Sequence, residues 1–135
     1  MVDHKIVFTN GCFDLFHAGH VNLLYNAKRL GDELYVGLNT DRSILEIKGP
    51  NRPIIPQDQR FEMVASCRYV DRVFFFDEPT PLKLIETIMP DIIVKGGDYR
   101  HADVVGSHLA KVVIMPLLPE ISTSRIIQTV IDEHK

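Results

Sequence analysis

The stretch that decides the fold runs Phe8-Thr9-Asn10-Gly11-Cys12-Phe13-Asp14-Leu15-Phe16-His17-Ala18-Gly19-His20-Val21-Asn22-Leu23-Leu24 and continues to Asp32. It opens apolar, turns polar and Gly-punctuated, and then takes on helical spacing. Leu23, Ala27 and Leu30 recur three to four apart with Leu24 beside them, and Gly31 is the expected C′ stop of that helix. A strand therefore hands over to a helix across residues 9–20, and two histidines three apart stand at the handover.

The same alternation extends along the chain. Short, nearly continuous apolar runs, rich in β-branched and aromatic residues, occur at Ile6–Phe8, Leu34–Leu38, Val73–Phe76, Ile92–Val94 and Val112–Met115. Such runs fit strands buried on both faces, as in a parallel sheet. Helical stretches lie between them. One follows Pro56 and carries Phe61, Val64 and Ala65; one is predicted to open with Thr80 as N-cap and Pro81 at N1; the last opens at Ser122, Thr123 or Ser124. Asn39 to Pro56 is the least regular segment, and Lys48 to Pro53 reads as an exposed loop. The expected architecture is α/β: a parallel sheet with helices on both faces, in one domain spanning residues 1–135.

In such a sheet, ligands lie beyond the carboxyl ends of the strands, where the strand order reverses. Residues just after Phe8 belong there. The following helix offers free N–H groups and a positive dipole end, which suit a phosphate. His17 and His20 fall on one helix face, and Gly19 leaves space for a ligand to come close. Two imidazoles at that position can donate to phosphate oxygens and stabilise charge in phosphoryl or nucleotidyl transfer. The helix terminus disfavours their protonation, whereas a bound polyphosphate favours it. The pair could also be part of a metal site, but no third ligand stands nearby.

Composition narrows the class. Hydrophobic residues make up 45% and charged residues 24% of the 135 residues, as expected of a globular protein able to bury a core. The net charge of −3 argues against a general nucleic-acid binder but leaves room for a small anionic ligand. Cys12 and Cys67 lack metal or CxxC spacing and read as reduced structural thiols. With no signal-like segment and no run near the ~20 residues of a membrane span, a cytoplasmic location is expected. No GxGxxG follows the first strand, which sets aside a dinucleotide-binding protein.

His17-Ala18-Gly19-His20, after Thr9-Asn10-Gly11-Cys12-Phe13-Asp14, resembles the signature of the HxGH nucleotidyltransferase superfamily in its cytidylyltransferase-like branch. Ile47 to Pro56 with Arg60, and Val94-Lys95-Gly96-Gly97-Asp98-Tyr99, resemble the group of adenylyltransferases that make ADP-heptose, a lipopolysaccharide precursor. Ile121-Ser122-Thr123-Ser124 is similar to the motif that opens the family's last helix, although Leu117-Leu118-Pro119-Glu120 replaces the Arg-Thr-x-Gly run of cytidylyltransferases.

The resemblance implies a Rossmann-like five-stranded sheet of order 3-2-1-4-5 and a homodimer. It implies an NTP, with ATP favoured, reacting with a sugar 1-phosphate, D-glycero-D-manno-heptose 1-phosphate, to give an NDP-sugar and pyrophosphate. Mg²⁺ is expected to arrive with the NTP, without a dedicated metal site. Alternatives are a cytidylyl- or guanylyltransferase acting on a related phosphate such as glycerol 3-phosphate, and a non-catalytic nucleotide-binding regulatory domain.

The resemblance also implies residue roles. His17, His20 and Lys48 are catalytic, with Lys48 closing over the phosphates from a flexible loop. Thr9, Asn10, Gly11 and Phe13 form the loop under the nucleotide, with a core role equally open for Phe13. Asp14 is expected near the phosphates or the sugar, with a turn-stabilising role as its alternative. Gly19, Gly97, Asp98, Ser122, Thr123 and Ser124 complete the nucleotide site. Lys95 is assigned to nucleotide and acceptor alike, and Asp41 and Arg60 to the acceptor side.

Overall fold

The structure, a computed structural model, describes residues 3–97, 99–118 and 121–134. Five strands form one sheet: β1 (Ile6–Gly11), β2 (Glu33–Asn39), β3 (Arg72–Phe76), β4 (Ile92–Gly96) and β5 (Lys111–Met115). Their order is β3-β2-β1-β4-β5, and every neighbouring pair is parallel. β1 is central, pairing Val7 with Leu34 on one side and with Ile92 on the other. The strand order reverses at β1, so a crevice opens beyond its carboxyl end.

Alternation along each strand builds two cores. Val7, Leu34, Val36, Leu38, Ile92 and Val94 pack on one face with Leu24 and Ala27 of α1 (Ala18–Lys28) and Val64 of α3 (Gln57–Ala65). Phe8, Ile93 and Val112 pack on the other with Ile85 of α4 (Leu82–Ile88) and with Val104. Gly37 makes room for the second core: a Cβ there would lie 2.8 Å from the Phe8 ring and 3.1 Å from Leu84.

Three local expectations are corrected. The segment after β2 is not all loop: α2 (Asp41–Lys48) begins there, with Thr40 accepting the Ser43 N–H at 3.2 Å as its N-cap. Lys48 is thus the last residue of a helix. Helix α4 starts one residue later than expected, with Pro81 in the N-cap position. Helix α1 ends at Lys28 with Arg29 as its cap, so Gly31 lies beyond the C′ position. A Cβ at Gly31 would meet Val7 at 2.7 Å and the Lys5 carbonyl at 2.9 Å, so close approach to β1 is what requires glycine.

Candidate active site

The turn from β1 to α1 is built from unusual backbone. Phe13 and Leu15 both have left-handed conformations, with φ of 51° and 50°. Each costs a non-glycine residue on the order of 1–3 kcal/mol, and such residues persist only where their surroundings over-determine them. Here Phe13 is buried in the core, and Asp14 between the two is tied on both sides. The Asp14 carboxylate accepts the backbone N–H of Ile54 at 2.8 Å and of Ile55 at 2.9 Å. Its carbonyl accepts the Thr123 hydroxyl at 2.6 Å. One residue thus joins the β1–α1 turn to the segment after α2 and to the start of α5 (Thr123–Glu133).

The two histidines cap α1. His17 is the N-cap, and its Nδ1 accepts the Gly19 N–H at 3.1 Å. His20, at N3, reaches back with its own Nδ1 to accept the His17 N–H at 3.1 Å. This is a capping box made of two imidazoles. Both Nδ1 atoms act as acceptors, so in each neutral ring Nε2 carries the proton. The rings stack with centroids 3.7 Å apart, and Phe16 stacks on His20 from farther out, at 5.5 Å. Burial, reinforced by His17 and Lys48 and opposed by Asp14, pulls His20 down to about 4. Burial also lowers His17. The pair is therefore neutral near pH 7 and presents two N–H donors.

Two cavities adjoin along this edge of the sheet. The larger, about 480 Å³, is lined by Asn10, Gly11, Cys12, Phe13 and Asp14 after β1, and by Lys95 at the end of β4. Asn39, Thr80, Tyr99 and Asp103 complete its polar wall. The smaller, about 280 Å³, lies between the start of α1 and the start of α5. His17, Gly19, Asn22 and Ser122 to Ser124 supply its polar groups; Leu23, Leu117, Leu118 and Ile121 supply an apolar wall. Four residues border both: His20, Lys48, Arg52 and Thr123. Ser122 caps α5 by accepting the Arg125 N–H at 3.0 Å.

Three cations, Lys48, Arg52 and Lys95, line the larger cavity beside the carboxylates of Asp14 and Asp103. Burial lowers the Lys95 ammonium, Lys48 adds to that shift, and Lys95 lies 5.4 Å from the Tyr99 ring centre. Burial pushes the Cys12 thiol up despite the nearby cations, which makes it a poor nucleophile.

Several sequence-expected residues point elsewhere. Thr9 is buried in β1, and its hydroxyl donates to the Val94 carbonyl at 2.9 Å. Gly97, with φ of 121°, lies beside Tyr99 and borders neither cavity. Arg60 also turns inward, its side chain wholly buried. It donates to the carbonyls of Ile55, Cys12 and Asn39 at 2.8–2.9 Å and to Asp41 at 2.8 Å. Neither Arg60 nor Asp41 lines the two cavities; together they brace the site from behind. Asp98 lies outside the described residues. Arg52, Asn39, Thr80 and Asp103 were missed as wall residues, although Arg52 sits in the very stretch that carried the heptose-type resemblance.

The described residues of the site form no set that fits a resident metal. Both Asp14 oxygens are committed to backbone N–H groups. No group of three or more His, Cys, Asp or Glu that could hold an ion comes together among the described residues.

The sequence profile of cytidylyltransferase-like proteins matches residues 8–129, from the core of β1 into α5. The chain belongs to the cytidylyltransferase-like family. Curated relatives carry the name bifunctional protein HldE. That of Syntrophotalea carbinolica is 48% identical over 135 residues, 96% of this chain and 28% of the relative. That of Campylobacter jejuni (strain RM1221) is 51% identical over 132 residues, 97% of this chain and 29% of the relative. The chain thus spans little more than a quarter of these relatives. Among solved structures, the lipopolysaccharide core biosynthesis protein of Thermoplasma volcanium is 28% identical with a TM-score of 0.71, covering 85% of this chain and 97% of that one. A pantoate-beta-alanine ligase of Francisella tularensis, 16% identical with a TM-score of 0.57, covers 93% of this chain and 69% of that one, and shares the fold alone. No helix among the described residues is long and apolar enough to cross a membrane.

Proposed function

We propose that this chain joins ATP to D-glycero-D-manno-heptose 1-phosphate, giving ADP-heptose and pyrophosphate. The observation that carries the reading is the wall shared by the two cavities, His20, Lys48, Arg52 and Thr123. Two substrates that exchange a phosphoryl bond need adjoining sites whose common boundary holds the reacting phosphorus. Similarity to the HldE proteins supports the heptose and the adenine.

In this reading the smaller cavity takes the nucleotide. Its apolar wall receives the base, while the N–H groups at the start of α5 and the two His Nε2 donors receive phosphate. The larger cavity takes the sugar phosphate. Asn10, Asn39, Thr80 and Asp103 offer partners for hydroxyls, and Lys95 offers a cation for the phosphate. An ionised phosphate oxygen of the sugar attacks the α-phosphorus. The bond from that phosphorus to the α,β-bridging oxygen breaks, and pyrophosphate leaves with the electron pair. The nucleophile carries no proton at pH 7, so the chain needs no general base; it positions the substrates and stabilises charge. Mg²⁺ bound with the NTP would supply further neutralisation of phosphate charge.

The test is pyrophosphate release from ATP, CTP, GTP and UTP against D-glycero-β-D-manno-heptose 1-phosphate and glycerol 3-phosphate, with Mg²⁺. Release with ATP and the heptose phosphate alone is expected. Release with another NTP moves the base assignment, and release with glycerol 3-phosphate alone overturns the sugar. Silence across the grid, in a protein that still binds nucleotide, favours a regulatory nucleotide-binding role.

A further inference from the structure

Arg52 is the one arginine that borders both cavities. It is half-buried, and its guanidinium forms no hydrogen bond or ion pair among the described residues. A partly enclosed guanidinium without a carboxylate partner keeps its donors available for an anion. Its backbone is nonetheless held in place. The Arg52 N–H donates to the Gly49 carbonyl at 3.3 Å, closing a turn behind α2. Two residues further on, Asp14 grips the N–H groups of Ile54 and Ile55, and Arg60 Nε grips the Ile55 carbonyl at 2.9 Å. The guanidinium is therefore presented from an anchored segment rather than from a free loop.

Lys48 shares the same wall, but an ammonium is a compact point charge, whereas a guanidinium is a planar fork with five donors. The fork holds two phosphate groups in a fixed relative geometry, which a rotating ammonium does not impose. The two substrates are both polyanions and would repel each other across the shared wall. A cation contacting both converts that repulsion into mutual support.

Resting on the two-cavity reading above, we propose that Arg52 bridges the nucleotide and acceptor phosphates, so that each substrate tightens the binding of the other through this side chain. By linkage the tightening must be reciprocal.

Calorimetric titration tests this with α,β-methylene-ATP, whose α–β bond cannot be cleaved by the transfer, and with D-glycero-β-D-manno-heptose 1-phosphate. Each ligand is titrated alone and in the presence of the other, with Mg²⁺. In the wild-type chain each is expected to tighten the other by about 5–20-fold, at the lower end of ordinary coupling factors. Arg52→Ala is expected to bring that factor to about one while weakening each ligand alone by only about two- to five-fold. Arg52→Lys, which keeps the charge and loses the fork, is expected to retain single-ligand affinity and still lose most of the coupling. Because the side chain makes no hydrogen bond or ion pair among the described residues, both variants should keep the wild-type melting temperature. Coupling that survives in both variants, or wild-type binding of both ligands without coupling, overturns the inference and leaves the functional reading intact. A wild-type chain that binds neither ligand overturns both.

Discussion

The Nδ1 atom of His20 accepts the backbone N–H of His17 at 3.1 Å, and that bond leaves only Nε2 of His20 to carry a proton when the ring is neutral. The capping of a helix and the orientation of a hydrogen-bond donor are one arrangement. His20→Gln separates them. Glutamine is an ordinary N3 partner of a capping box, so the helix start survives while the imidazole donor is lost. The melting temperature should stay near wild type, and kcat/KM for pyrophosphate release should fall by about 10²–10³-fold, as for removal of one transition-state donor. An equal loss of stability and activity would instead make the ring a structural residue.

The pH dependence of stability has a definite sign. His20 titrates near 4 when folded and near 6.5 in its ordinary state. Between those values the unfolded chain binds more protons, so stability rises with pH. The full contribution is present above pH 6.5 and is lost as pH falls towards 4; its size is on the order of 3 kcal/mol or less. Urea unfolding across this window should show that slope in the wild type and a shallower one in His20→Gln. Bound α,β-methylene-ATP should raise the His20 value, read from ¹⁵N chemical shifts, because its phosphates favour the imidazolium.

Gly19→Ala should likewise uncouple activity from stability. A Cβ at this position would lie 2.9 Å from His17 Cε1 and 3.0 Å from its Nδ1, so the imidazole must move. Alanine itself suits a helix better than glycine by up to about 1 kcal/mol. Thermal unfolding should change little, while kcat falls by at least about tenfold through the misplaced donor. An unchanged kcat would show that His17 does not act through its position.

Arg60→Lys should be a folding defect. Lysine cannot reach the Ile55, Cys12 and Asn39 carbonyls and the Asp41 carboxylate together, so buried acceptors lose their donors. A loss of about 2–4 kcal/mol in urea unfolding is expected. Asp41→Asn, whose carboxylate is 42% exposed, should cost about 1 kcal/mol or less. A wild-type stability with a raised KM for the sugar phosphate would return Arg60 to the acceptor side.

These contrasts show which parts of the site were legible beforehand. The strand–helix alternation and the place of His17 and His20 follow from local signals, namely short apolar runs, a Gly-punctuated turn and helical spacing, whereas the strand order was implied by the family resemblance alone. Helix α2 was missed because Ile44 is its only fully buried apolar residue, too little to set up a periodicity; the Thr40-Asp41 start was the available clue. Arg60 was placed on the substrate because its true partners come from residues 12, 39, 41 and 55, a convergence that no local spacing encodes. The left-handed Phe13 and Leu15 were equally hidden, since neither residue type favours that conformation.

Helix α5 supplies Ser122, Thr123 and Ser124 to the smaller cavity yet buries no side chain of its own fully. Elements with little buried apolar surface open at the low end of a protein's spectrum of local unfolding. This wall of the smaller cavity, proposed above to take the nucleotide, is thus weakly anchored, and the Thr123–Asp14 bond is the pin that joins it to the histidine turn. Amide hydrogens of α5 should exchange fastest among the helices in the free chain and slow when nucleotide binds, because a ligand favours the closed state over the open one. On the proposed function, entry and exit of the nucleotide then become a matter of how often one helix comes loose.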